Sequence, residues 1–170
     1  MRSWFIALMV GCLTGWTMDV AAQSQYPAPQ RQASVEADAV QLLKLAQQYI
    51  QTYGVEAAVV EFNRLDSPFN VKSAINPYGD MYLYTLDPTG FQRVHGKNPK
   101  IRNKVMIEMR DSDGVYLIRQ LVEACFASKD GRGWVEYRWP HPVHKSVQKK
   151  RGYVEKIADL ELCIGTGIYL

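Results

Sequence analysis

The chain is poor in the residues that mark several large functional classes. Of its 170 residues only three are cysteine and three histidine, and no C-x-x-C, no C-x-x-C-H and no repeated Cys/His spacing occurs. Structural zinc, covalent haem and thioredoxin-like redox chemistry therefore have no support. Cations exceed anions by only three, and no basic helix or run of five cations appears, which argues against a dedicated nucleic-acid surface. G-x-S-x-G and phosphate-loop motifs are missing, and no cysteine sits beside a recognisable histidine context, so a nucleophilic enzyme is not expected. Past the first 22 residues no apolar run approaches the roughly 20 residues a membrane helix needs. What is present is an ordinary globular balance, 47% hydrophobic and 22% charged, with ten Tyr, five Phe and four Trp to fill a core.

The N-terminus reads as a secretory signal. Arg2 precedes an apolar stretch from Trp4 to Trp16, and Val20-Ala21-Ala22 puts small residues where a signal peptidase cuts. Cleavage is expected after Ala22, giving a periplasmic or secreted protein. An uncleaved anchor, or a lipoprotein through Cys12, are the alternatives. The mature chain keeps Cys125 and Cys163. An even pair in an oxidising compartment invites a disulfide, while the apolar periodicity around each also suits a free buried thiol.

Residues 23 to 34, rich in Gln, Ser and Pro, read as a flexible leader. From Val35 a helical stripe runs through Ala39, Leu42, Leu43, Ala46, Tyr49, Ile50 and Tyr53, with Ser34 as its expected N-cap and Gly54 as its end. A short second helix spans Val55 to Phe62. Met81 to Leu86, the turn Asp87-Pro88-Thr89-Gly90 and Phe91 to Val94 predict a hairpin. Asp111-Ser112-Asp113-Gly114 predicts a turn and helix N-cap before a helix on Val115, Ile118, Leu121, Val122, Cys125 and Phe126. Strands are expected over Trp134 to Trp139, about Lys150 to Ile157, and Leu160 to Tyr169. The sum is an α+β domain over residues 35–170, a long N-terminal helix packed on a roughly five-stranded antiparallel sheet with connecting helices, in a PAS-like layout.

Several ordered blocks carry a more specific likeness. They include Glu61-Phe62-Asn63, Gly79-Asp80-Met81-Tyr82, Asp87 to Gly90, Val94-His95 with Asn98-Pro99, the run from Gly131 to Pro140, Lys150 to Val154, and Gly165-Thr166-Gly167-Ile168-Tyr169. In order and spacing the chain resembles the extracytoplasmic single Cache domain, type 2. Two departures are Gly96, where relatives usually have Pro after the histidine, and Asn103-Lys104, where a Gly-Lys pair is common. The resemblance implies a non-catalytic sensor with no cofactor and a pocket on one face of the sheet. The ligand it implies is a small organic acid such as pyruvate, lactate, acetate or propionate. Because the chain stops at Leu170, a separate membrane receptor or transporter is the expected partner.

The pocket residues expected on this basis are Tyr82, Tyr84, His95, Trp134, Tyr137, Trp139, Lys150 and Tyr153. A carboxylate leaving water needs charge-assisted donors in an apolar cavity, which Lys, Arg, Tyr hydroxyl and Trp indole N–H groups supply, while His95 at a strand end either donates to the ligand or caps a turn. Trp134, Glu136 and Arg138 alternate with Val135, Tyr137 and Trp139, so only one set can line the pocket. Lys150 and Tyr153 are three apart and share a face only if a bulge near Gly152 intervenes. His141 and His144 lie in a Pro-bounded loop without a suitable carboxylate, so no metal is expected there. A structural module that docks on an envelope receptor or complex without binding a ligand is the alternative function.

Overall fold

An apolar stripe needs a surface to bury against, and the first helix, α1 (Glu36–Tyr53), finds it on one face of the sheet. Ala39, Leu42, Leu43, Ala46 and Ile50 are buried there against Tyr153, Ile164 and Ile168. A computed structural model describes residues 32–170, so the expected signal segment and most of the leader lie outside the described residues. Ser34 does not cap α1. Its backbone N–H and its hydroxyl both donate to the Asp80 carboxylate, at 2.9 and 2.6 Å, and Val35 takes the N-cap position. Asp38 accepts the Val35 N–H at 2.9 Å, placing a carboxylate in the first turn where the helix dipole favours it. Gly54 ends the helix at φ 84°, a backbone region costly for any residue with a Cβ, and α2 (Val55–Asn63) follows at once.

The main sheet has four antiparallel strands in the order β1 (Tyr84–Leu86), β6 (Cys163–Tyr169), β5 (Val147–Lys156), β4 (Arg132–Pro140). The helix α3 (Leu117–Phe126) covers the face opposite α1, burying Leu117, Ile118 and Leu121. Two strands expected of the hairpin are shorter than the pattern suggests. β2 (Phe91–Gln92) pairs with β3 (Lys104–Val105) in a separate two-stranded ladder, and the chain rejoins the β1 segment through the Asp87 N–H to Phe91 carbonyl and Thr85 N–H to Val94 carbonyl bonds and a bridge at Tyr84 and His95. The cause is local: Asp87 Oδ1 accepts the Thr89 and Phe91 N–H groups, and the Gly90 carbonyl is taken by Met106.

Before β1, residues 81–83 lie outside the ladder, because side chains replace its partners. Leu83 N–H donates to Asn70 Oδ1 at 3.0 Å, while the Asn70 amide donates to the carbonyls of Phe62 and Arg64. This explains Gly96. A Cβ there would collide with the Asn70 carboxamide. Replacing Gly96 by Ala is expected to lower stability by about 1 to 3 kcal/mol, the usual cost of overpacking. An unchanged denaturant midpoint would show that Asn70 can move aside.

Asp111 does not cap α3, whose N-cap is Tyr116 with no side-chain bond. Its Oδ1 accepts from Asp113 and Val115, and its Oδ2 accepts the Arg138 N–H at 2.7 Å, which ties the loop to the free edge of β4. Cys125 of α3 and Cys163 of β6 form a disulfide, with Cα atoms 6.4 Å apart. Among the described residues no helix is long and apolar enough to cross a membrane, and no cluster of three or more metal-ligating side chains occurs.

Candidate ligand pocket

Antiparallel register decides which side chains meet, since directly paired residues share a face. Tyr137 pairs with Lys150, Lys150 with Tyr169, Gly152 with Gly167, and Tyr84 with Gly165. One face, under α3 and the 92–102 segment, thus gathers Tyr84, Tyr137, Trp139, Lys150 and Tyr169. Three glycines on the same face make room for them. A Cβ on Gly165 would collide with the Tyr84 ring, one on Gly152 would sit 2.7 Å from the Tyr137 hydroxyl, and one on Gly167 would sit 2.7 Å from Lys150 Cε. The large side chains can therefore lie flat over β5 and β6.

Lys150 is the centre of this face and is fully buried, at 0% exposure. Its Nζ lies 3.9 Å from the Tyr82 ring centroid, 5.3 Å from that of Tyr169 and 5.9 Å from that of Tyr84, an aromatic cage of the kind that stabilises a desolvated cation. None of the ion pairs formed among the described residues includes it. Burial lowers its pKa to about 7, partly opposed by the Asp80 carboxylate. Burial also raises the Tyr82, Tyr84, Tyr137 and Tyr169 phenols, so each remains a protonated donor.

His95 is 3% exposed, and its pKa falls to about 3 through burial and then the charges of Lys150 and Arg102. Its ring lies 4.8 Å from Tyr82 and 6.0 Å from Trp139, centroid to centroid. These three residues separate two cavities. An inner one of about 20 Å³, room for about one water, lies among Tyr84, Tyr137, Gln92 and the α3 residues Leu117, Ile118 and Leu121. An outer cleft of about 210 Å³ opens beyond them toward Lys97, Asn98, His141 and Lys145. The Lys150 ammonium packs on the ring of Tyr82, which lines both, and is itself in the lining of neither.

Six of the eight expected pocket residues, Tyr82, Tyr84, His95, Tyr137, Trp139 and Lys150, converge here. Trp134 and Tyr153 do not. The β4–β5 register runs through Gly152 without a bulge, so both point to the α1 side, where their rings stack at 4.4 Å and Tyr153 donates to Glu155. Sequence reasoning missed Tyr169, Asp80, Gln92 and His141. For Tyr169 a signal existed, since Gly165, Gly167 and Tyr169 alternate with the apolar Ile164 and Ile168.

The model for the Cache domain family matches residues 66–170. The chain belongs to the Cache domain family. Members of this family are non-catalytic ligand-binding sensor modules. The match begins beyond α2, short of the domain start expected at residue 35. A methyl-accepting chemotaxis protein of Pseudomonas putida, McpP, is 29% identical over 91 residues, covering 54% of this chain and 16% of that protein. The chain spans between 16% and 29% of the length of the curated relatives it matches. Among solved structures, a methyl-accepting chemotaxis protein from Vibrio parahaemolyticus shares the Cache fold with a TM-score of 0.61 at 21% identity, over 78% of this chain and 86% of that one. A Cache chemosensory domain solved for its recognition of carboxylic acids aligns with a TM-score of 0.55 at 24% identity, over 76% and 84%.

Proposed function

We propose that this Cache domain is an extracytoplasmic sensor that binds a short carboxylate, such as pyruvate, lactate, acetate or propionate, through Lys150 and the surrounding phenols. The observation that carries this reading is a fully buried ammonium ringed by aromatics, with no carboxylate paired to it among the described residues. Such a cation is costly unless a ligand anion completes it. The fold shared with a domain that recognises carboxylic acids supports the same class. The periplasmic or secreted location, cleavage after Ala22, and a membrane receptor or transporter that receives the signal belong to this proposal too.

A ligand of about six heavy atoms, at a ceiling near 1.5 kcal/mol per atom, reaches about 9 kcal/mol, so micromolar dissociation constants are expected. Calorimetry of the mature protein against the four acids tests the reading. Micromolar binding of at least one supports it, and the absence of both heat and thermal shift with all four overturns it. That second result would favour an interaction module, a reading encouraged by one observation: the inner cavity, about 20 Å³, is largely filled by the protein's own tyrosines.

A further inference from the structure

Two chain segments that meet at the outer cleft carry no acid. Residues 88–107 and 137–154 hold none of the 17 Asp and Glu of the chain, yet they bring Lys97 and Lys145 to the same cleft mouth, beside Asn98, Pro140 and Pro142. The two ammonium groups are close enough that the charge of Lys145, after burial, lowers the Lys97 pKa. Lys100 follows in the single turn of helix Pro99–Ile101 and is exposed. None of the ion pairs formed among the described residues includes Lys97, Lys100 or Lys145. Lys145 donates to the Pro142 carbonyl of its own loop and keeps its charge. Asp80, the carboxylate whose charge reaches His141 in the cleft wall, is buried and already accepts both donors of Ser34. The cleft mouth thus presents uncompensated positive charge.

Aliphatic surface lies beside these cations. The loop between β4 and β5 closes on itself: the His141 N–H donates to the Ser146 carbonyl, the Lys145 N–H to the His141 carbonyl, and His141 Nδ1 accepts the N–H groups of Val143 and His144, both at 3.1 Å. With its backbone groups used internally, the loop holds Val143 out at 54% exposure, and Val147, paired with Pro140 at its base, is 56% exposed. A single exposed valine is ordinary. Two beside a cluster of unpaired lysines match a surface that offers anionic groups with an apolar layer beneath them. A bilayer of anionic phospholipid has that order, phosphates outermost and acyl chains below, whereas an acidic polymer would use the lysines and leave the valines in water.

We propose that the β4–β5 loop and the 97–104 segment form a docking surface for an anionic phospholipid membrane, with Lys97, Lys100 and Lys145 at the phosphates and Val143 at the acyl boundary. Lys150, on which the carboxylate reading rests, is fully buried and takes no part in this surface, so either can hold without the other. Each lysine near such a bilayer strengthens partitioning by about fivefold. Docking of this kind is reversible and is released by salt, which screens exposed charges.

Cosedimentation with large vesicles tests this, using the chain from Gln23 onward, the form that the proposed cleavage leaves. Vesicles of equal parts phosphatidylcholine and phosphatidylglycerol are expected to carry the parent down at low salt and to release it at high salt, while vesicles of phosphatidylcholine alone leave it in solution. The double variant K100E/K145E is expected to bind at least about tenfold more weakly. Val143→Asp is expected to weaken binding by about tenfold, as for one aliphatic side chain no longer buried. Lys100, Val143 and Lys145 are all exposed, so the melting temperatures should match that of the parent. Where a variant melts lower, K100Q/K145Q or V143S replaces it. Equal sedimentation with neutral and anionic vesicles, no sedimentation with either, or a K100E/K145E protein that binds like the parent overturns the proposal. Weakening in K100E/K145E with none in V143D overturns it as well and assigns the lysines to an acidic polymer, which retention of the parent and V143D alike on immobilised polyglutamate would verify.

Discussion

Replacing Lys150 by Met is expected to weaken the proposed carboxylate binding and at the same time to make the protein more stable. The binding loss is expected to exceed a hundredfold, because a charge-assisted contact in a desolvated site disappears and the ligand carboxylate would be buried without a counter-charge. The stability gain follows from the sign of the pKa shift. An unfolded lysine titrates near 10.5, whereas buried Lys150 titrates at about 7. Between those values the unfolded chain binds more protons than the folded one, so stability rises with pH across this window. Below pH 7 both states carry the charge and the folded state bears the whole penalty, about 5 kcal/mol at 1.36 kcal/mol per pH unit. Methionine removes the charge, keeps much of the stem's packing, and is expected to stabilise by about 2 to 4 kcal/mol at pH 6 after the lost cation–π contacts are counted.

Denaturation of both proteins at pH 6 and pH 9 measures this directly. The advantage of the variant should shrink at the higher pH, where native Lys150 is already neutral. An advantage equal at both values, or a destabilised variant at pH 6, would show that the ammonium is solvated in a way the buried geometry does not suggest. Binding has the opposite pH trend. A bound carboxylate would raise the Lys150 pKa again, so association is expected to take up protons near neutrality and affinity to decline as pH rises above about 7.

Removing the disulfide has the second large effect. Cys125 and Cys163 are 38 residues apart, and closing a loop of that length lowers the entropy of the unfolded chain enough to stabilise the fold by about 4 kcal/mol. Paired replacement by serine is expected to lower the melting temperature by about 10 °C. The same loss should follow from reductant on the parent and not on the variant. A shift below 2 °C would mean that packing of α3 on β6 persists without the bond and that the unfolded chain is already constrained there.

Alternation made most of this sheet legible. Val135, Tyr137 and Trp139 had to share a face, and they do, because β4 pairs with β5 without interruption over nine residues. The same regularity separates Trp134 and Tyr153 from the pocket. Two lysines and an arginine around position 150 look like a solvated charge run, and only the sheet register turns the middle one inward while Lys149 and Arg151 pair with Glu136 and Glu36 on the far side. Ser34 looked like a cap because local spacing favoured it. A carboxylate 46 residues away took both of its donors, a competition no window of sequence displays. His141 was visible as a loop histidine, but its tautomer depends on two backbone N–H groups whose direction only the turn defines.

The strand order also governs when the pocket can come into being. β1, which carries Tyr84, has no ladder partner in the main sheet except β6, and Tyr84 pairs with Gly165, 81 positions later. A chain emerging from the ribosome or crossing a membrane therefore holds its aromatic half-site open until the glycine strand arrives. Contacts this distant in sequence form slowly, on the millisecond-to-second scale of sheet-dominated folds. The proposed pocket therefore closes only when β6 joins β1.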